Sequence, residues 1–253
     1  MFWGQELDVK GWLLAASNAT LTQSYLPIKE LYFSFNGPSW SVSCEVFFYL
    51  CFPFLLRFFD KIGQLKYYLT AALVFTILIL PHFIDTQWHH GLFYINPLFR
   101  TVDFILGIVL YDLYVHLKSK KALVNFTRLE LLSIGVFMLF FSLRNRVSET
   151  ALYSVFYWIP MMGMILIFAF QKGKVSEILS HKYAIWLGEI SFGFYMLHHL
   201  VLRYFSLGNG KLEWVSDDCI IIGILLSVSI IGAGISHRYF EVPLNRMIRH
   251  KWK

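Results

Sequence analysis

Charge is scarce in this sequence. Only 15% of its 253 residues are Asp, Glu, Lys or Arg, where a water-soluble domain carries about a quarter. That shortage excludes a polar coat able to keep the chain in water, because 57% of it is hydrophobic, 19% is aromatic and the mean hydropathy is +0.56. Cysteine is nearly absent too. Cys44, Cys51 and Cys219 are an odd number inside or beside apolar runs, which excludes a disulfide framework and a spaced metal site, so no metal is expected. Cys44 and Cys51 read as packing residues. The net charge of +6 suits nucleic acid in principle. Its Lys and Arg lie in short loops between apolar runs, however, so no nucleic-acid partner is expected. Residues 12–16 are too short for a secretory core and follow Glu6 and Asp8, so no signal peptide is expected.

What the chain has in abundance is bilayer-length apolar runs. Seven occur, at about 40–57, 67–84, 96–115, 128–143, 151–171, 183–205 and 219–240. The fold expected is all-α: a polytopic transmembrane helix bundle of about seven spans, forming one domain over 1–253, with the lipid bilayer as its first partner. Residues 12–28 are mildly apolar but broken by Ser17, Asn18, Thr20, Thr22, Gln23 and Pro27. They read as an interfacial or re-entrant piece, or as the remnant of a further span. The loops alternate in charge. Those at 57–66, 116–128 and 172–182 and the tail after Glu241 are basic, whereas 85–95 has no Lys or Arg and 206–218 has only Lys211 against three acids. Arg144 and Arg146 are the exception. The positive-inside rule places the basic loops and the C-terminus in the cytoplasm, and residues 1–39 outside.

Four polar constellations interrupt the apolar runs. In Asn36-Gly-Pro-Ser-Trp40-Ser41-Val-Ser-Cys-Glu45, the carboxylate of Glu45 enters a span about 7 Å below its outer boundary at the helical rise. A charge at mid-span costs roughly 2.5–3.5 kcal/mol on insertion scales, so Glu45 is either a structural carboxylate paired across helices or a functional one. In Asn96-Pro-Leu-Phe-Arg100-Thr-Val-Asp103-Phe-Ile-Leu-Gly107, Arg100 and Asp103 stand three apart. They can pair along one helix face, or Arg100 can offer its donor fork to a substrate. In Gly188-Glu-Ile-Ser191-Phe-Gly-Phe-Tyr195-Met-Leu-His198-His199, Ser191, Tyr195 and His198 share one face, as a polar lining or as helix–helix glue. The last is Tyr239-Phe-Glu241-Val-Pro243-Leu-Asn-Arg246, where Pro243 is expected to stop the helix and Arg246 to anchor it. Glu45, Arg100 and His198 all fall in the outer halves of their spans, which points to a shared polar cavity.

Taken in order, these four segments resemble the signatures of membrane acyltransferase family 3. The first is similar to its tryptophan-serine-x-x-x-glutamate signature, the second to its arginine-x-x-acid-phenylalanine-x-x-glycine segment, and the third to its glycine-x-x-serine-tyrosine-x-x-tyrosine-x-x-histidine segment with Phe192 for the first tyrosine. The fourth is similar to its tyrosine-x-glutamate-x-proline-x-x-arginine ending. The resemblance implies an enzyme of the cell inner membrane, an O-acyltransferase moving an acyl group, commonly acetyl, from cytoplasmic acyl-CoA to a hydroxyl of a surface polysaccharide, lipid-linked sugar or similar acceptor. It implies acetyl-CoA as donor substrate with no bound cofactor, Glu45 and His198 as catalytic residues, and Trp40, Ser41, Arg100, Asp103, Ser191 and Tyr195 as substrate-binding residues. The family's plan of ten spans implies three spans before residue 1, and its catalytic histidine, eleven residues after an arginine or lysine, has no match in this sequence. A transporter lined by Glu45, Arg100 and His198, or an inert remnant or partner subunit of the same fold, are the other readings.

The topology is testable by cysteine labelling in intact cells. Lys120→Cys and Lys253→Cys are expected to react only after permeabilisation, and Gln87→Cys and Gly208→Cys without it. External labelling at position 120 would invert the assigned orientation.

Overall fold

The computed structural model describes residues 8–120, 124–153, 155–207 and 218–251, so positions 208 and 253 of the labelling test lie outside them. Every regular element among the described residues is helical. They fall into two compact units. One takes the residues up to 35 and from 39 to 178, and the other takes 36–38 and those from 179 onward.

The first unit holds α1 (Val9–Ala19), α2 (Lys29–Tyr32), α3 (Ser39–Ile62), α4 (Leu65–Ile79), α5 (Thr86–His89), α6 (Pro97–Lys118), α7 (Phe126–Leu143), α8 (Glu149–Leu152), α9 (Val155–Ala169) and α10 (Lys174–Leu179). Short polar side chains start these helices as capping physics requires: Asp8 accepts from Gly11 N at 2.8 Å, Asn96 from Leu98 N at 2.9 Å, and Asn125 from Arg128 N at 3.1 Å. Pro97 follows its cap as the first helical residue, where its missing N–H costs nothing. Gly63, at φ +56°, turns the chain between α3 and α4.

Six segments are long and apolar enough to cross a membrane: Ser39–Ile62, Leu65–Phe83, Phe126–Arg146, Glu149–Ala169, Lys182–Leu207 and Asp218–Arg249. The third span expected from sequence is α6. Its 22 residues are long enough, but Arg100, Asp103 and Asp112 make it too charged to stand alone in lipid. The fold surrounds it instead: α6 packs against α3, α4 and α9 and buries Val102, Ile105 and Leu110. Asp112, read from sequence as a helix-end residue, forms an ion pair with Lys66 of α4 and accepts a hydrogen bond from Tyr67. The short fourth run becomes a full span because helical structure extends it to Phe126 and Arg146.

The segment 12–28 does not cross. Helix α1 has eleven residues, about 16 Å of rise against a hydrocarbon core of about 30 Å. The chain after it lies over the starts of α3 and α6. Ser43 Oγ donates to Leu21 O at 2.5 Å, leaving Ser24 Oγ to donate to Ser43 Oγ at 2.6 Å. Gln23 Nε2 donates to Ser39 O at 3.1 Å, and Asn96 Nδ2 to Tyr25 O at 2.7 Å. Gln23, Ser24 and Ser43 are fully buried, so these bonds replace water that the polar groups have given up.

The second unit holds α11 (Lys182–Leu207), α12 (Asp218–Ser236) and α13 (Val242–Lys251). Helices α11 and α12 meet through small residues. Gly193 and Ala233 are buried against each other, and a Cβ on Gly232 would touch Leu197 at 3.4 Å. The expectation that Pro243 stops the last helix is corrected here. Helical structure passes through a wider π-turn, His237–Glu241, and continues as α13. Pro243 is the second residue of that new helix, where a backbone N–H has no helical partner to lose.

A buried carboxylate ties α7 to α10. Glu130 accepts from Gly173 N at 3.1 Å, Val175 N at 3.0 Å, Ser176 N at 3.4 Å and Ser176 Oγ at 2.5 Å, and is fully buried. It caps α10 from a different helix. A Cβ on Gly173 would lie 1.9 Å from Glu130 Oε2, so only glycine fits there. Glu130→Ala is expected to lower stability in detergent by on the order of 3 kcal/mol, with Gly173→Ala destabilising in the same direction. Thermal unfolding by size-exclusion fluorescence checks both, and an unchanged melting temperature in Glu130→Ala would contradict the clamp.

Candidate functional site

Three of the residues singled out from sequence come together in the first unit. The Arg100–Asp103 pair forms along α6, with Nη1 to Oδ2 at 2.9 Å. Arg100 Nη1 also donates to the backbone carbonyl of Tyr153 at 3.0 Å, and Trp158 Nε1 donates to Asp103 Oδ1. The start of α9 therefore meets the first turns of α6. Trp40, the second residue of α3, packs its ring on Tyr94 with centroids 4.9 Å apart. Tyr94 in turn lies 5.5 Å from Tyr153, and the Arg100 guanidinium sits 5.9 Å over the Tyr94 ring. Ser41 is half-buried on the turn after Trp40.

Tyr94, His90, Tyr153 and Trp158 were not singled out from sequence. His90 opens a π-turn, His90–Ile95, of the kind that collects at functional sites. Its ring lies 5.2 Å from Tyr94 and 5.6 Å from Tyr153, and its Nδ1 is 3.1 Å from Tyr32 Oη. Burial pushes the His90 imidazole below its ordinary value, against the raising effect of Glu149, which favours the neutral ring. The His89-His90 pair in a loop without Lys or Arg was the available signal. Nothing local marks Trp158, whose partner is 55 residues away.

Glu45 differs from the other intramembrane acids. Asp103 is held by Arg100 and Trp158, Asp112 by Lys66, Glu130 by α10, and Glu241 by His237 at 3.2 Å. Glu45 is exposed on α3, and among the described residues it has no hydrogen bond or ion pair. Its neighbour Cys44 is buried and donates its thiol to Ile95 O at 3.1 Å.

Ser191, Tyr195 and His198 lie in the second unit on α11. Ser191 Oγ donates to Gly188 O at 2.7 Å and is exposed. His198 stacks on Phe194 at 5.6 Å, lies 5.8 Å from the Tyr195 ring, and places Nδ1 3.2 Å from Phe194 O. It lines a small apolar cavity of about 170 Å³ with Leu202, Leu225 and Ser229. His199, off the face shared by Ser191, Tyr195 and His198, stands where a Cβ on Gly37 would meet its ring at 3.0 Å, while Asn36 Nδ2 donates to Met196 O at 3.1 Å. The Asn36-Gly37-Pro38 loop thus docks on α11 beside His199 rather than His198.

The Arg100–Asp103 pair stands at one end of a cavity of about 590 Å³ between α6 and α9, within the range of small-molecule sites. Several apolar helices, a paired arginine and aspartate on α6 and an unpaired glutamate on α3 define a polytopic membrane protein with polar intramembrane groups. The chain belongs to membrane acyltransferase family 3, whose acyltransferase domain model matches residues 2–236. It is 28% identical over 260 residues to the acyltransferase MdmB of Streptomyces mycarofaciens, covering 90% of this chain and 62% of that protein. It is 21% identical over 254 residues to a Staphylococcus aureus protein carrying an O-acetyltransferase name, covering 94% of this chain and 40% of the other. An acetyltransferase-named protein of Acidianus two-tailed virus is 28% identical over 222 residues, covering 85% of this chain and 57% of its own length. The chain thus spans less than two thirds of the length of these relatives. No solved structure matches it.

The ion pair carries a stability expectation. Asp103→Leu alone leaves Arg100 without its carboxylate and is expected to cut folded protein in the membrane severalfold, whereas Arg100→Met/Asp103→Leu is expected to restore most of it. Quantitative blotting of both variants checks this, and equal loss in the single and double variants would count against a stabilising ion pair.

Proposed function

We propose that this chain is the part of an integral inner-membrane O-acyltransferase that binds the acceptor and orients the reacting groups, with its C-terminus in the cytoplasm. A hydroxyl of a surface polysaccharide, lipid-linked sugar or similar acceptor attacks the thioester carbonyl of a cytoplasmic acyl-CoA, commonly acetyl-CoA. The carbon–oxygen bond forms, the carbon–sulfur bond breaks, and the thiol leaves with the proton taken from the hydroxyl. Family membership supports acyl transfer. The observation that carries the residue assignment is the unpartnered Glu45 carboxylate, five residues after Trp40, where Asp103, Asp112, Glu130 and Glu241 each have a partner.

Each residue then has a stated role. Glu45 holds or moves a proton at the acceptor hydroxyl or at the base that receives it. Arg100, oriented by Asp103 and Tyr153, presents its remaining N–H groups to an acceptor oxygen. Trp40 and Ser41 flank that position at the start of α3. Ser191, Tyr195 and His198 are assigned to substrate or base orientation on α11. The family's arginine-x10-histidine base has no match here, and it is assigned to a portion of the complete protein beyond this sequence.

Glu45→Gln in the complete protein is expected to lower transfer by about a hundredfold or more while membrane levels stay near wild type. The substitution keeps the shape and strands no partner. Acylated product and protein amount are measured together. Full activity in the Gln variant would remove Glu45 from the chemistry, and His198→Ala would be tested next.

A further inference from the structure

The cavity between α6 and α9 has a polar end and an apolar length. Arg100, Asp103, Tyr153 and Trp158 line its first end, and Tyr114 and Ala169 its far end. From Arg100 to Tyr114 it follows α6 for 14 residues, about 21 Å at the helical rise, or roughly two thirds of a hydrocarbon core. Between those ends, Leu106, Gly107, Leu110, Met162, Ile165 and Leu166 supply an apolar wall. Gly107 is exposed, and a Cβ built on it meets nothing within 4 Å, so the missing side chain is what leaves the groove open at its middle. Met161 and Met162 give the opposite wall an adaptable surface. Tyr111, Met161 and Ile165 are exposed, so the groove is open along its side.

We propose that this groove holds the single hydrocarbon chain of a lipid-borne acceptor, whose head places an oxygen at Arg100. The proposal rests on Arg100 and Asp103 being acceptor-binding residues. Arg100 uses Nη1 for both Asp103 and Tyr153, which leaves Nε and Nη2 to donate to a head-group oxygen. The ion pair neutralises the charge there, so an uncharged hydroxyl-bearing head suits it better than a free anion. The apolar length discriminates between chains. A pantetheine arm would bring two amides into a wall of Leu, Ile and Met, and each amide without a partner costs about 1–3 kcal/mol. A hydrocarbon chain instead gains roughly 0.8 kcal/mol per methylene buried. Lateral opening lets such a chain enter from the membrane without passing through water.

Two photoreactive hexadecyl glucosides test this with the full chain in phosphatidylcholine nanodiscs. One carries a diazirine beside the sugar, the other at the end of the chain. The first is expected to label Gly107, Trp158 and Met161, and the second Tyr114, Leu166 and Ala169, as read by peptide mass spectrometry. Unlabelled hexadecyl glucoside is expected to compete and octyl glucoside at the same concentration to compete poorly. Gly107→Phe is expected to reduce labelling about tenfold, since losing two or more buried methylenes gives that factor. Leu131→Phe, on the exposed face of α7, is expected to leave it unchanged, and a normal melting temperature certifies each fold. Labels spread equally over α4, α7 and α9, labels in the reverse order, or undiminished labelling in folded Gly107→Phe would each overturn the proposal. Labelling needs no turnover, so a failed transfer assay leaves the groove standing. Scattered labelling removes the lipid-borne acceptor while leaving transfer to a water-soluble hydroxyl intact.

Discussion

Two charges on α6 constrain the first unit. Arg100 and Asp103 cannot face hydrocarbon singly, so α6 must be the helix that others surround. Their partners are drawn from one side: the carbonyl of Tyr153, which caps the C-terminal end of α8, and the Trp158 indole five residues later in α9. Lys66 satisfies Asp112 at the other end from α4. These contacts set α6 antiparallel to α4 and parallel to α9 and bring the starts of α3, α6 and α9 to one level. A helix too polar to insert alone thus becomes the axis of the most apolar surroundings available.

Polar satisfaction also separates scaffold from site. Glu130 spends its carboxylate on three backbone N–H groups and a hydroxyl, fixing the chain that enters α10. The buried Gln23, Ser24 and Ser43 fasten the segment before α3 to the helix starts beneath it. Such groups are buried and expensive to disturb. Glu45 keeps its full acceptor capacity, and Arg100 keeps part of its donor fork. Chemistry is assigned to them for that reason rather than for their charge alone.

Irregular helix turns mark where the two units carry their polar groups. The π-turn at His90–Ile95 sets the His90 ring against Tyr94, tilted, and against Tyr153, edge to face. The π-turn at His237–Glu241 sets His237 against Glu241, with Ser236 donating to the same carboxylate at 3.3 Å. Each wide turn rotates the side chains away from the register that regular α-helix would impose, letting neighbouring polar residues meet.

Local chemistry fixed much of this in the sequence. Apolar runs of bilayer length set the helices, Asn96, Asn125 and Gly63 set their boundaries, and the three-residue spacing of Arg100 and Asp103 set their pairing, because each depends on neighbours along one helix. The order of four short motifs carried the family. Other features depended on residues far apart in the chain. Trp158 beneath Asp103, Lys66 against Asp112, His90 among the tyrosines and His199 against Gly37 follow from how helices pack, and no periodicity in one segment encodes its partner. Pro243 misled for the same reason: whether a proline ends a helix depends on whether the preceding turn still needs its N–H, and the π-turn removed that need. The sequence by itself determined which residues are too polar for lipid; the tertiary structure alone decided which of them were paired and which, like Glu45, were left unpaired, because pairing requires two helices to meet at one depth.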